Sequence, residues 1–232
     1  MFKGVWTFVF WCIVACLLAG CGTHYQWTKS HPAYTIPPFK DFAVIGAEKA
    51  FVLNRSAWFA KKLNIPPEEI QKHITGDCAK WLVQDLQKIY PEIKALPASL
   101  LDASPEESQQ LDSRIFIKGK IPEQGIVLKD STGYTPTRIL IIHEAILGTD
   151  LNREDFFDYA LIHNESPEKK TSKNLTAIVS YTLWDNEKQR ALFNSIDQID
   201  KPITHLSMTD MEQLVQSIAE SMRSHLVEGA GL

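Results

Sequence analysis

Two neighbouring stretches hold the side chains best suited to chemistry: His143-Glu144, and the oxygen-rich series Asp150, Asn152, Glu154, Asp155 and Asp158. The first starts like the H-E-x-x-H zinc motif, in which two histidines on one helical face hold the metal and the glutamate activates water. Where the second histidine belongs the chain has Leu147. In an extended strand, successive side chains also point to opposite faces, which would part His143 from Glu144. The pair therefore reads as a sheet-edge or loop contact rather than a catalytic couple. Oxygen ligands at alternate positions suit calcium, but the acidic series has Asp155 where the sharp turn of a calcium loop wants glycine, and Leu161 where a bidentate glutamate is needed. Carboxylates at a helix start also simply complement its dipole. No G-x-S-x-G, G-x-G-x-x-G or P-loop occurs. No catalytic, cofactor-binding or metal-ligating residue is assigned, and whether His143, Glu144 and the Asp150 to Asp158 segment converge is left to the fold.

A thiol offers the one chemistry whose residues are all present. Lys3 is the only charge before Cys21, and it is followed by the apolar series Val5, Trp6, Phe8, Val9, Phe10, Trp11, Ile13, Val14, Leu17 and Leu18. The run is shorter than the ~20 apolar residues that a spanning helix needs, and it has the layout of a signal peptide. It closes on Leu18-Ala19-Gly20-Cys21. These residues resemble the lipobox of bacterial lipoproteins. The resemblance implies that the Cys21 thiol receives a diacylglyceryl group, that residues 1–20 are removed as signal peptide, and that the new amine is acylated. Several chains, each buried methylene contributing ~0.8 kcal/mol, would make the attachment stable. In that family, Gly22 at the next position is compatible with delivery to the outer membrane.

The remaining composition limits the functional classes. The net charge of −4 argues against nucleic acid and against electrostatic adhesion to anionic lipid. Of the four cysteines, Cys12 and Cys16 lie in the apolar run, Cys21 is committed to lipid and Cys78 falls in a helical apolar series, so no disulfide framework exists. Burial is the expectation for Cys78.

From Gly22 to Phe39, Pro32, Pro37 and Pro38 stand among polar residues with no sustained helical or strand period. Residues 21–40 read as a lipidated N-terminus and tether, which if extended could lift a body ~55–65 Å from a bilayer. One globular domain is expected over residues 41–229. Phe42 to Ile45 and Ile139 to Leu147 are continuous apolar runs suited to strands buried on both faces. Asn54 can cap a short helix, and Ile70, Ile74, Cys78, Trp81, Leu82, Leu86 and Ile89 form the stripe of a longer one that Pro91 ends. Ile93 to Leu96 and Arg114 to Lys118 read as strands, Ser104-Pro105-Glu106-Glu107 as a helix start running to about Leu111, and Pro122 to Thr137 as loop. Asp150 to Ile162 is ambiguous between helix and strand. Thr176 to Trp184 alternates cleanly and, with turn residues Asp185 to Lys188 and a return over Ala191 to Ile196, predicts a hairpin. Thr209 and Glu212, spaced as a capping box, open a last helix whose stripe Met211, Leu214, Val215, Ile218, Ala219, Met222 and Leu226 reads as core packing.

This succession predicts an α+β fold: a mixed, largely antiparallel sheet with helices packed against it. The hairpin residues Tyr181-Thr182-Leu183-Trp184-Asp185 and Ala191-Leu192-Phe193 resemble, loosely, the late hairpin of envelope lipoproteins such as the curli secretion lipoprotein and the activators of penicillin-binding proteins. The turn departs from that pattern, with Glu187-Lys188 where many such domains carry Thr-Gly. No binding residue is transferred from them. The expected function is a membrane-anchored cell-envelope lipoprotein with a periplasmic domain, acting as a non-catalytic adaptor, assembly or binding protein. Its expected contacts are the membrane, through lipid on Cys21, and an envelope protein. A lipid-anchored hydrolase of the cell wall or another envelope substrate is the rival.

Overall fold

A computed structural model of the protein describes residues 24–30, 41–112, 115–151 and 174–228. In chain order the elements are β1 (His24–Ser30), β2 (Phe42–Ile45), α1 (Ala47–Ala50), β3 (Phe51–Leu53), α2 (Ser56–Leu63), α3 (Pro67–Ile89), β4 (Lys94–Leu96), a 3-10 turn (Ala98–Leu101), β5 (Glu106–Asp112), β6 (Ile115–Lys120), β7 (Arg138–Thr149), β8 (Asn174–Asp185), β9 (Arg190–Pro202) and α4 (Met208–Glu228). The main sheet runs β1-β9-β8-β7-β2-β4, with β3 continuing beside β7 beyond β2, and β5 with β6 forms a separate two-stranded ribbon. The pairs β1–β9, β9–β8 and β8–β7 are antiparallel, whereas β2 and β3 run parallel to β7, and β4 parallel to β2. The fold is thus α+β, a mixed sheet with helices packed against it, and β7 is central.

Both faces of the sheet are covered, which is why β2 and the runs Ile139–Ile142 and Ala145–Leu147 of β7 are apolar without alternation. On one face α3 and α4 bury Ile74, Cys78, Leu82, Leu214, Ile218 and Met222 against Leu140, Ala145, Val179 and Leu183. Cys78 is fully buried, and burial together with the neighbouring Asp77 pushes its thiol far up from the ordinary range. On the other face Ala43, Ile45, Ile139, Ile141 and Trp184 pack under Leu96, Leu101, Ile121 and Leu128, so the 3-10 turn and the 121–137 loop are the cover. That loop is tied down by Asn186 in the β8–β9 turn. Its side-chain amide donates to the carbonyls of Leu128 and Pro136 at 2.9 Å, and its Oδ1 accepts the Leu128 N–H at 2.9 Å.

Four local expectations are corrected. Part of the expected tether is strand: β1 pairs along its whole length with β9, from His24↔Ile199 to Ser30↔Phe193, because the edge of β9 offers backbone donors and acceptors that need partners. The expected helix from Ser104 is instead β5. Ser108, Gln109 and Gln110 give such a helix no apolar stripe, while pairing with β6, Glu106↔Lys120 onward, satisfies their backbone groups. Helix α2 begins after Arg55, whose φ of 63° breaks the chain direction, and Asn54 is buried rather than capping. Helix α4 is capped two residues early, by Ser207 and Asp210: the Ser207 hydroxyl accepts the Asp210 N–H at 3.2 Å, and the Asp210 carboxylate accepts the Ser207 N–H at 3.0 Å. Among the described residues no helix is long and apolar enough to cross a membrane. Cys21 and the segment Asn152 to Asp158 lie outside the described residues.

Candidate functional site

One residue of β7 has no partner across the ladder. Ile142 lies opposite Tyr181 and Glu144 opposite Ser180, so His143 is the extra residue of a β-bulge. The consequence appears in the packing on either side. Leu140 and Ile142 point into the helix-covered core, and so do Ala145 and Leu147, while Ile139 and Ile141 point into the other. The alternation slips by one between Ile142 and Ala145, so His143 and Glu144 both lie on the face away from the helices. The expectation that a strand would part them is overturned by this one inserted residue.

They open into a cavity of about 410 Å³. Its walls come from the bulge, from the start of α1 at Gly46 and Lys49, from the 3-10 turn with Asp102, and from Glu106 and Lys118 to Lys120 of the β5–β6 ribbon. Two glycines let backbone approach the bulge closely. Gly46 has a φ of 92°, and a Cβ there would overlap the Ile142 carbonyl oxygen; a Cβ on Gly119 would overlap the His143 imidazole at Nδ1. The rim is charged in both senses. Lys118 meets Glu106 at 3.1 Å, Lys49 stands 3.9 Å from Asp102, and the Lys120 ammonium donates to the Asp102 carbonyl at 2.9 Å.

The hydrogen bonds determine which nitrogen of His143 carries the proton. Thr182 has one hydroxyl hydrogen, which it donates to Asn194 Oδ1 at 2.6 Å. Toward His143 Nε2, at 2.8 Å, Thr182 is therefore the acceptor. The ring proton sits on Nε2, and the bare Nδ1 faces Gly119. Burial lowers the His143 pKa from 6.5 to about 4, because the cation would have to leave water. The ring is neutral at pH 7 and covered at its basic nitrogen. Among the described residues, no three His, Cys, Asp or Glu side chains gather to hold a metal ion. Asp150 is occupied locally: its Oδ1 accepts the Asn174 N–H at 3.1 Å and its own N–H donates to the Asn174 carbonyl, closing β7 onto β8.

A second polar cluster lies under α4. Asp197 accepts Tyr181 Oη–H at 2.7 Å, Ser195 Oγ–H at 2.8 Å and the Ser221 hydroxyl. Since Tyr181 spends its proton on Asp197, it accepts from His225 Nδ1 at 2.5 Å. Thr28 of β1 bonds to Ser195 at 2.9 Å. Serine, histidine and aspartate are the residue types of a hydrolytic triad, but here the Ser195 and Ser221 hydroxyls both donate their protons to the carboxylate, and Asp197, Ser195, Ser221 and His225 are all buried. The cluster fastens α4, β8, β9 and the edge strand β1 to one another.

His143 and Glu144 are thus brought together by the fold. Gly119, Thr182, Asn194 and the lysines of the ribbon were not singled out from sequence, because each becomes significant only through a neighbour distant along the chain.

No protein-family model matches the chain, and no curated protein matches it. Among solved structures it is similar to a PelC dodecamer from Paraburkholderia phytofirmans, with TM-score 0.42 and 10% identity over 88% of this chain and 97% of that one. A dodecamer of a PelC point variant from the same organism has TM-score 0.37, again with 10% identity, over 88% and 97% of the two chains.

Gly119→Ala should destabilise the domain by about 1–3 kcal/mol through overpacking on the His143 ring. Combining it with His143→Ala should recover at least ~1 kcal/mol of that loss in a double-mutant cycle by urea unfolding, and strictly additive effects would contradict the contact. The depressed pKa of His143 has a definite sign. Between pH 6.5 and about 4 the unfolded chain binds a proton that the folded one refuses, so stability falls as pH falls through that window and is unaffected above it. Relative to His143→Gln, the native chain should lose on the order of 3 kcal/mol from pH 6.5 to pH 4, and parallel curves would contradict the burial.

Proposed function

We propose that the protein is a membrane-anchored lipoprotein of the cell envelope, held by lipid on Cys21, whose folded domain binds a ligand or an envelope partner without transforming it. Leu18-Ala19-Gly20-Cys21 supports the anchor and Gly22 the outer membrane as its site, with the domain facing the periplasm. The observation that carries the binding reading is the state of His143. His143, the only histidine among the described residues that line the cavity, is held neutral, with Nε2 on Thr182 and Nδ1 against Gly119, while charged groups of both signs ring the opening. A cavity of about 410 Å³ falls within the range of small-ligand pockets. It equally suits an inserted loop of a protein partner.

A lipid-anchored hydrolase acting on the cell wall or another envelope substrate has one specific observation in its favour, the placement of His143 and Glu144 on the same face by the bulge. Against it, a base with pKa about 4 is a weak proton acceptor at neutral pH, and general bases work best near the operating pH. Turnover of envelope polymers or esters by the purified domain, abolished in Glu144→Gln, would establish the hydrolase instead.

Metabolic labelling with palmitate should mark the native chain and not Cys21→Ala, and the unlabelled variant should leave the membrane fraction. Equal labelling of the two would contradict the anchor. A photo-crosslinking residue at Lys49 or Glu144 should capture one and the same partner in intact cells, and the same residue at the distant Glu187 should not.

A further inference from the structure

The first strand begins close behind the proposed lipid attachment. Only Gly22 and Thr23 separate Cys21 from His24, the first residue of β1. Three Cα steps of at most ~3.6 Å each place His24 within about 11 Å of the acylated residue, far short of the reach of a tether. Where β1 starts therefore fixes which part of the domain lies near the bilayer.

The strand directions identify that end of the sheet. His24 pairs with Ile199, close to where β9 finishes at Pro202. β7 and β9 are both antiparallel to β8 and so finish at the same end. β3 runs parallel to β7 with Leu53 opposite Leu147, the Asn54 N–H donates to the Leu147 carbonyl at 2.8 Å, and Arg55 reaches Thr149 at 3.4 Å. Helix α2 consequently starts from this end, as does the β9–α4 connection. Those two segments carry Trp58, Leu63, Ile65, Ile203, Leu206 and Met208, apolar side chains that touch the core yet keep part of their surface exposed. Exposed lysines flank the helical part, with Lys62 lying over the Trp58 ring at 5.9 Å. A tryptophan with apolar neighbours and basic residues that extend from it is the composition favoured at a membrane–water interface.

We infer that this end of the domain rests on the bilayer, with the rim formed by Trp58, Leu63, Ile65, Ile203, Leu206 and Met208 in the interfacial zone of the lipid. The inference rests on acylation of Cys21. The opposite end of the sheet, the β8–β9 turn at Glu187, then stands about 40 Å away along a strand of the length of β9. His143 lies six residues before the end of β7, which sets the cavity about 20 Å along the strand from the seated end.

The test uses the acylated full chain in vesicles of phosphatidylethanolamine and phosphatidylglycerol that include a headgroup-nitroxide lipid. A fluorophore is placed on Leu206→Cys in one sample and on Glu187→Cys in another, buried Cys78 being inaccessible to the label. On protein that floats with the vesicles, the label at position 206 should be quenched several-fold more than the label at 187. A flexible Gly-Ser spacer inserted between Gly22 and Thr23 should relieve that quenching without loss of flotation. Equal quenching at the two positions, quenching that the spacer leaves untouched, or a label at 206 shielded by a second copy of the chain rather than by lipid would each overturn the inference. Failure to float would overturn the acylation itself, and is thereby distinguished from failure of the seating.

Discussion

A single inserted residue in the central strand sets the geometry of the site. Without the bulge, β7 would keep strict alternation, and either His143 or Glu144 would have to enter the helix-covered core. With it, Ile142 and Ala145 both fill that core and the two polar side chains turn together to the other face. The neighbouring elements are shaped around this kink. Gly46 and Gly119 come so close to the bulge that neither position has room for a side chain, and the Thr182–Asn194 pair supplies the acceptor that His143 requires.

The sheet is asymmetric in what covers it. Two long amphipathic helices shield one face, and beneath α4 the carboxylate of Asp197 gathers the hydroxyls of Tyr181, Ser195 and Ser221. A buried carboxylate is costly unless it is fully hydrogen-bonded, so this cluster specifies one docking of α4 and, through Thr28, one position for β1. The opposite face is covered by coil and by the two-stranded ribbon. Coil held by a few polar anchors such as Asn186 cannot seal a face as two helices do, and the cavity forms there.

Much of the architecture could be read from periodicity. The stripes of α3 and α4 and the continuous run of β7 record burial directly, whereas β8, which alternates in sequence, is buried on both faces because its polar positions Thr176, Ser180 and Thr182 are covered too. What escaped was decided by long-range pairing. His24 to Ser30 becomes a strand because β9 offers an edge, and Glu106 to Asp112 because β6 does, and neither partner is visible locally. The bulge is harder still, since one extra residue leaves a run such as Ile141-Ile142-His143-Glu144-Ala145 looking like any buried strand that carries two polar residues. His143 and Glu144 could therefore be singled out by residue type and then set aside as an edge or loop contact, while their position on a common face could not be derived.

The proposed binding role turns on the restraint of His143 by its neighbours. Nitrogen-15 shifts of the imidazole, followed through a pH titration of the folded domain, test this most directly. The account predicts a single tautomer with the proton on Nε2 and a bare Nδ1, staying neutral until the pH approaches about 4. Titration close to 6.5 with the proton exchanging between the two nitrogens would contradict it, and would return His143 to the candidates for acid–base chemistry.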